Sequence, residues 1–237
     1  MMIYDQNAYK SVNYKKVYSK ANEYLALAPS ITSFPFKAKG FVYEQSDIKL
    51  CTFKKAKEKY DIYIPMFGSE SAVIQELEGA YIIFYNQDEP DYRVRFSIMH
   101  EYGHYILGHK MNLKESDSLY HTQELESNCF AAQLLMPEQL LRECLNRHKR
   151  LTIDFIMDSF DVSDDAAKKR RNTLANTTYE WRSREEKEFD DIILMKYAQK
   201  LNEIAPKPRE YDYYDYESDY DRQRERDSWL DNRSRRN

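Results

Sequence analysis

A chain of 237 residues with a formal charge of −4 can bury one good-sized core with room for a small appendage, and has no global electrostatic reason to bind nucleic acid. It contains no apolar run approaching 18 residues, which argues against a membrane-spanning helix, and its start, Met1-Met2-Ile3-Tyr4-Asp5, lacks the charged and apolar regions of a signal peptide. Three cysteines, Cys51, Cys129 and Cys144, show no pairing pattern, so the expected location is the reducing cytoplasm.

Only 5 glycines accompany 21 tyrosines, which suits a mostly helical protein with few tight turns. Residues 13–27 read as a first helix, with Val17, Ala21, Tyr24, Leu25 and Ala28 along one side; Pro29 and Pro35 follow as a loop. Ile48–Phe53 and Tyr60–Pro65 read as strands, the second alternating Ile62 and Ile64 with Asp61 and Tyr63. Tyr81-Ile82-Ile83-Phe84-Tyr85 is a third, β-branched and aromatic run. Together they predict a three-stranded sheet. Asn86 to Asp91 is a turn containing Pro90. A helix follows, its apolar face drawn from Phe96, Met99, Tyr102, Gly103, Ile106 and Leu107, with Gly108 as its stop. Gly103 costs about 1 kcal/mol of helix propensity relative to alanine, so close approach of another backbone is expected to offset it.

That helix carries His100-Glu101-Tyr102-Gly103-His104, an H-E-x-x-H sequence. Histidines at i and i+4 project from one helix face and can reach a single zinc ion at about 2.0–2.1 Å. Glu101, beside the first of them, can face a metal-bound water and act as general base. A catalytic zinc takes three protein ligands, so a third must come from another element. His109 lies five residues past His104, about 140° further around a helix, and is read as pointing elsewhere. His121 falls in the polar loop 112–122. Beyond it, Leu125, Cys129, Ala132 and Met136 make one stripe of a second amphipathic helix. Glu124 and Asn128 share a face of that helix at i and i+4. Glu124 is the candidate third ligand and Asn128 a partner for a ligating histidine; Glu126 competes, but has no polar residue one turn on.

Pro137 suits the start of a third helix running to about Arg147. Leu151–Ser159 and Ser163–Asn176 follow as short helices, the latter capped by Ser163; its Lys168-Lys169-Arg170-Arg171 run reads as a solvated face. Glu180–Ile204 reads as one longer helix. Pro206 and Pro208 end the organised part. Glu210–Asp221 holds six acids, five tyrosines and one serine, and Arg222–Asn237 six arginines against three acids. Such a bipartite tail without apolar periodicity is expected to be disordered.

The stretch from Arg95-Phe96-Ser97 through the H-E-x-x-H residues to Gly108-His109, followed by Glu124-x-Glu126-x-Asn128-x-Phe130-Ala131-Ala132-x-Leu134-Leu135-Met136-Pro137, resembles the ImmA/IrrE family of zinc metallopeptidases. The likeness is close from about 80 to 137 and loose to about 176. Ser127 stands where the family pattern usually has alanine. The resemblance implies a gluzincin-like site in which His100, His104 and Glu124 hold zinc and Glu101 is the catalytic carboxylate. It implies a sheet whose edge strand can pair with an extended substrate. It also implies a regulatory protease whose substrate is a helix-turn-helix repressor of a prophage or mobile element. The alternative is a non-proteolytic anti-repressor, or a toxin–antitoxin partner, that binds a transcription factor and carries a structural zinc. A His/His/Glu set also accepts Mn²⁺ or Fe²⁺. The expected architecture is α+β: a small N-terminal sheet packed on the zinc-binding helix pair, then a mostly helical C-terminal half. The expected division is a metallopeptidase domain over 1–150, a helical region over 151–205 and the charged tail over 206–237.

Overall fold

The computed structural model describes residues 11–63, 69–110, 113, 116–176, 182–207 and 220–224. The first helix, α1 (Tyr14–Leu27), is opened by Asn13, whose side chain accepts a hydrogen bond from the Lys16 N–H, and it buries Val17, Ala21 and Leu25 as expected. A short α2 (Ala38–Tyr43) adds Phe41 and Val42 to the same core. Strand β1 covers Ile48–Thr52. Over 60–63, the described part of the strand expected at 60–65, no strand forms: the Thr52 hydroxyl accepts from the Lys55 N–H and starts α3 (Phe53–Tyr60) instead. That helix ends at Asp61 in a left-handed conformation, residues 61–63 are irregular, and 64–68 lie outside the described residues.

Among the described residues the sheet does have three strands, but the third is β2 (Ala72–Leu77), which turns into β3 (Ala80–Tyr85). The turn is Glu78-Gly79, with φ of 51° and 77°; two successive left-handed residues are what a two-residue hairpin of matching twist demands. The order is β1-β3-β2, with β1 parallel and β2 antiparallel to β3, so Ile74 faces Ile83 across the ladder and β2 is an edge strand.

Two long helices follow, α4 (Asp91–Leu107) and α5 (Ser118–Leu135). On α4, Met99, Tyr102, Gly103 and Leu107 are buried while Phe96 and Ile106 are partly so, close to the expected face. The expected stripe on α5 is only part of its buried surface. Leu125 and Met136 are buried and Cys129 and Ala132 are partly so, but Ser127, Phe130, Ala131 and Leu134 are enclosed as completely as Met136. The reason is that α5 packs against both α4 and α1, and a helix covered on two sides does not show one apolar stripe. Gly103 makes the α4–α5 approach possible, since a Cβ there would lie 3.1 Å from Phe130 Cδ1 and 3.3 Å from Ser127 Cα.

Beyond Pro137 come α6 (Glu138–Asn146), α7 (Ile153–Phe160) and α8 (Asp164–Asn176), the last opened by Ser163, whose hydroxyl accepts from the Ala166 N–H. The single helix expected over 180–204 is two, α9 (Arg184–Lys196) and α10 (Ala198–Ile204). A capping box between Ser183 and Glu186 fixes the start of α9. The break is at Tyr197, a buried residue whose hydroxyl donates to the carbonyls of Leu25 and Ile31. The architecture is thus α+β with a helical C-terminal half. Met1–Ala205 is one compact unit and Pro206–Asn237 another. Of the second, residues 220–224 form a helical turn; most of the charged tail lies outside the described residues. Among the described residues no helix is long and apolar enough to cross a membrane.

Candidate metal centre

The middle of α4 and the first turns of α5 meet at three side chains. His100 Nε2 and His104 Nε2 are 3.1 Å apart, and each is 3.3 Å from a different oxygen of Glu124. Donors about 2.0–2.1 Å from a tetrahedral ion stand about 3.3 Å from one another, so the spacing fits one metal. Among the described residues these three are the cluster of His, Cys, Asp or Glu able to hold an ion.

Hydrogen bonds behind the rings support the same reading. His100 Nδ1 is 3.1 Å from Asn128 Oδ1. An amide oxygen only accepts, so the proton sits on Nδ1 and the lone pair of Nε2 faces inward. Asn128, one turn past Glu124, is where the sequence put it. His104 Nδ1 is 3.1 Å from His109 Nδ1, and His109 Nε2 is 3.0 Å from Glu126 Oε2. The carboxylate can only accept, so neutral His109 carries its proton on Nε2 and offers its Nδ1 lone pair to His104. With both central rings neutral, their Nε2 atoms are bare. Two such lone pairs 3.1 Å apart beside a carboxylate repel unless a cation lies among them: a proton shared with Glu124 in the metal-free protein, or a metal ion in its place.

Electrostatics differ sharply between the carboxylates. Burial pushes the Glu101 carboxyl above the ordinary glutamate range, against the pull of His100, His104 and the Ile74 N–H. Burial acts the same way on Glu124, but its hydrogen bonds to His100 and His104 win and hold it well below that range. For His100, burial favours the neutral ring, yet Glu124 and Glu101 together keep its pKa above the usual histidine value in the metal-free protein. Burial and the neighbouring His104 push His109 down to about 4.

Glu101 is fixed from the sheet. Its Oε2 accepts a 2.9 Å hydrogen bond from the Ile74 N–H, so the outward-facing edge of β2 is aimed at this carboxylate. Neither Ile74 nor His109 was identifiable as part of the site from pattern alone. Ile74 belongs to the strand that the sequence reading missed. The expectation that His109 points elsewhere is overturned because His109 is not on the helix. Gly108, at φ 70°, turns the chain left-handed, and the His109 N–H bonds back to the His104 carbonyl. This helix ending swings the His109 ring under His104. A histidine directly after a helix-stopping glycine was the available signal. His121 lies in α5 rather than in a loop, because that helix begins at Ser118. Glu126, the rival ligand, faces away: its second oxygen accepts from the Asn13 N–H at 2.8 Å. Tyr102 is buried in an aromatic cluster with Tyr24, Phe41 and Phe130, and the Tyr105 hydroxyl donates to Asp47.

The peptidase family model described as IrrE N-terminal-like domain matches residues 44–172. The matched span is more than half of the chain and takes in the sheet, α4, α5 and everything that meets at the centre. No curated protein matches the chain.

Proposed function

The chain belongs to the IrrE N-terminal-like peptidase family, and from that premise we propose that it is a zinc-dependent endopeptidase. His100, His104 and Glu124 hold the metal, Asn128 orients His100, and Glu101 is the catalytic carboxylate. The observation that carries this reading is the convergence of the three donor atoms at 3.1–3.3 Å beside a part-buried, separately anchored carboxylate. Zinc bound there supplies Lewis acidity and lowers the pKa of a water to about 7.

The protein's own groups supply the rest. Glu101 takes a proton from the attacking water and passes it to the leaving amine nitrogen. Its burial suits that task, because a carboxylate raised above its ordinary pKa is a stronger base at neutral pH. The Ile74 hydrogen bond keeps the carboxylate from turning away, so the base is in place before substrate arrives. Among the described residues no further strand pairs with β2, and a sheet edge can pair with an extended peptide, which favours a protein substrate entering in extended form.

The finer proposal is that the substrate is a helix-turn-helix repressor encoded beside this protein on a prophage or other mobile element, met in the cytoplasm. Co-expression with the adjacent repressor tests it. Cleavage should depend on metal, and Glu101→Gln, which leaves all three metal donors in place, should lower it at least 100-fold or so. If that variant still relieves repression while leaving the repressor intact, the protein acts by binding and not by proteolysis.

A further inference from the structure

Behind the metal centre runs a second, buried chain of hydrogen bonds. We propose that Glu126 and His109 are positioning residues that fix His104 as an Nε2 ligand, an inference that rests on the metallopeptidase reading above. The chain begins at Glu126, on α5 two residues past Glu124. Its Oε1 accepts from the Asn13 N–H at 2.8 Å and its Oε2 from His109 Nε2 at 3.0 Å. Both side chains are nearly enclosed, at 4% exposure for His109 and 12% for Glu126. His109 Nδ1 lies 3.1 Å from His104 Nδ1, with the Ser127 hydroxyl a more distant neighbour at 3.3 Å.

Each link constrains the next. Glu126 is anchored by the backbone that opens α1, so its carboxylate cannot swing toward the metal. A carboxylate offers no proton, so the His109 proton must lie on Nε2. The bare Nδ1 of His109 then admits only a donor, so the His104 proton must lie on Nδ1, leaving the Nε2 lone pair for the ion. The ring is held in plane and in tautomer, and its basicity rises through the chain. The two ligating histidines are thus served differently. His100 has one amide within the ligand helix, whereas His104 has a two-residue path that ends on the N-terminal helix. Gly108 is part of the device, since its left-handed turn is what returns His109 to His104.

The test uses the full chain in five forms: wild type, His109→Phe, His109→Asn, and the pair Glu126→Gln and Glu126→Leu as an independent set. Zinc affinity is measured by competition with a chromogenic chelator, ligand geometry by the visible absorption of the cobalt(II) form, and folding by the thermal midpoint of the metal-free protein. Phenylalanine fills the space but offers no acceptor, and zinc affinity should fall roughly 10- to 100-fold with a shifted cobalt spectrum. Asparagine is smaller, but its Oδ1 stands where Nδ1 stood, so it should recover most of the affinity and the wild-type spectrum. Packing alone predicts the opposite order. Glu126→Gln should likewise bind zinc more tightly than Glu126→Leu, and that comparison decides the matter if His109→Phe does not fold. A wild type that binds one zinc while both pairs show equal affinities overturns the relay and leaves the metal site standing. A wild type that binds no zinc overturns both.

Discussion

Glu124 and Glu126 are separated by two positions on one helix, yet they do different things. Glu124 offers one oxygen to each ring of the histidine pair, and Glu126 has both oxygens engaged by His109 and Asn13. We therefore predict that Glu124→Ala removes a ligand and loses zinc almost completely, since two ligands hold a catalytic metal poorly. Glu126→Ala should weaken binding by no more than roughly 100-fold. Elemental analysis after dialysis against a mild chelator separates the two, and the reverse order would put the third ligand at Glu126. Gly103 gives a second prediction. Alanine there gains about 1 kcal/mol of helix propensity but sets a methyl 3.1 Å from Phe130 and 3.3 Å from the Ser127 backbone. Phe130 is fully buried and Ser127 contributes main chain, so neither gives way easily, and overpacking costs about 1–3 kcal/mol. Gly103→Ala should be destabilised by about 1 kcal/mol in urea unfolding of the metal-free protein; a stabilised variant would show that α4 and α5 can separate without cost. The inward-facing donors and Asn128 were readable in the sequence because i, i+4 spacing on a helix is rigid geometry. Their supports were not. His109 reaches His104 only through a left-handed residue, and Ile74 contributes a backbone N–H, which leaves no trace in side-chain pattern.

At the scale of elements, the long helices and the flanking strands β1 and β3 were legible because period and composition agree over many residues. The errors fell on short segments governed by one local bond. A single threonine hydroxyl converts the lysine-rich 53–60 into a helix, and two left-handed residues place the third strand at 72–77. One consequence is functional, because β2 is both the sheet edge and the anchor of Glu101. Arg95 shows how the site helix is tied to the rest of the fold. Its Nε donates to the Phe36 carbonyl at 3.1 Å, and its Nη1 reaches the carbonyls of Phe160 and Asp161 and the Asp161 carboxylate at 3.2, 2.7 and 2.9 Å. Burial depresses the guanidinium pKa, partly offset by Asp161. This one side chain therefore joins α4 to the loop before α2 and to the end of α7. Arg95→Ala leaves part-buried carbonyls without a donor, each costing about 1–3 kcal/mol, so we predict a loss of about 2–4 kcal/mol. Arg95→Lys should recover only a fraction, since one ammonium cannot span the fork. Denaturant midpoints of both variants check this, and a lysine variant of wild-type stability would reduce Arg95 to a simple charge.

At the scale of the whole molecule, the helical C-terminal half closes the same core that carries the metal centre. Tyr197 bonds to carbonyls at and beyond the end of α1, Leu201 and Ala205 are buried, and the Ala205 carbonyl accepts from Arg147 at 3.0 Å. A run of buried polar side chains, Gln133, Asn22, Gln139 and Asp190, crosses from α5 and α1 through α6 to α9. The first compact unit runs to Ala205 and the second begins at Pro206. Truncation after Ala205 removes none of these bonds, so the shortened protein should fold and hold one zinc per chain. What it loses is the acidic, tyrosine-rich run 210–221 and the arginines beyond it. If the substrate is a DNA-binding repressor, it carries a basic surface that the acidic run attracts, and such attraction fades as ionic strength rises. Full-length enzyme should then cleave the repressor faster than truncated enzyme at low salt, chiefly through KM, and the two should converge at high salt. Equal rates at low salt remove recruitment by the charged run. A truncated protein that cannot hold zinc places residues beyond 205 within the fold that supports the metal.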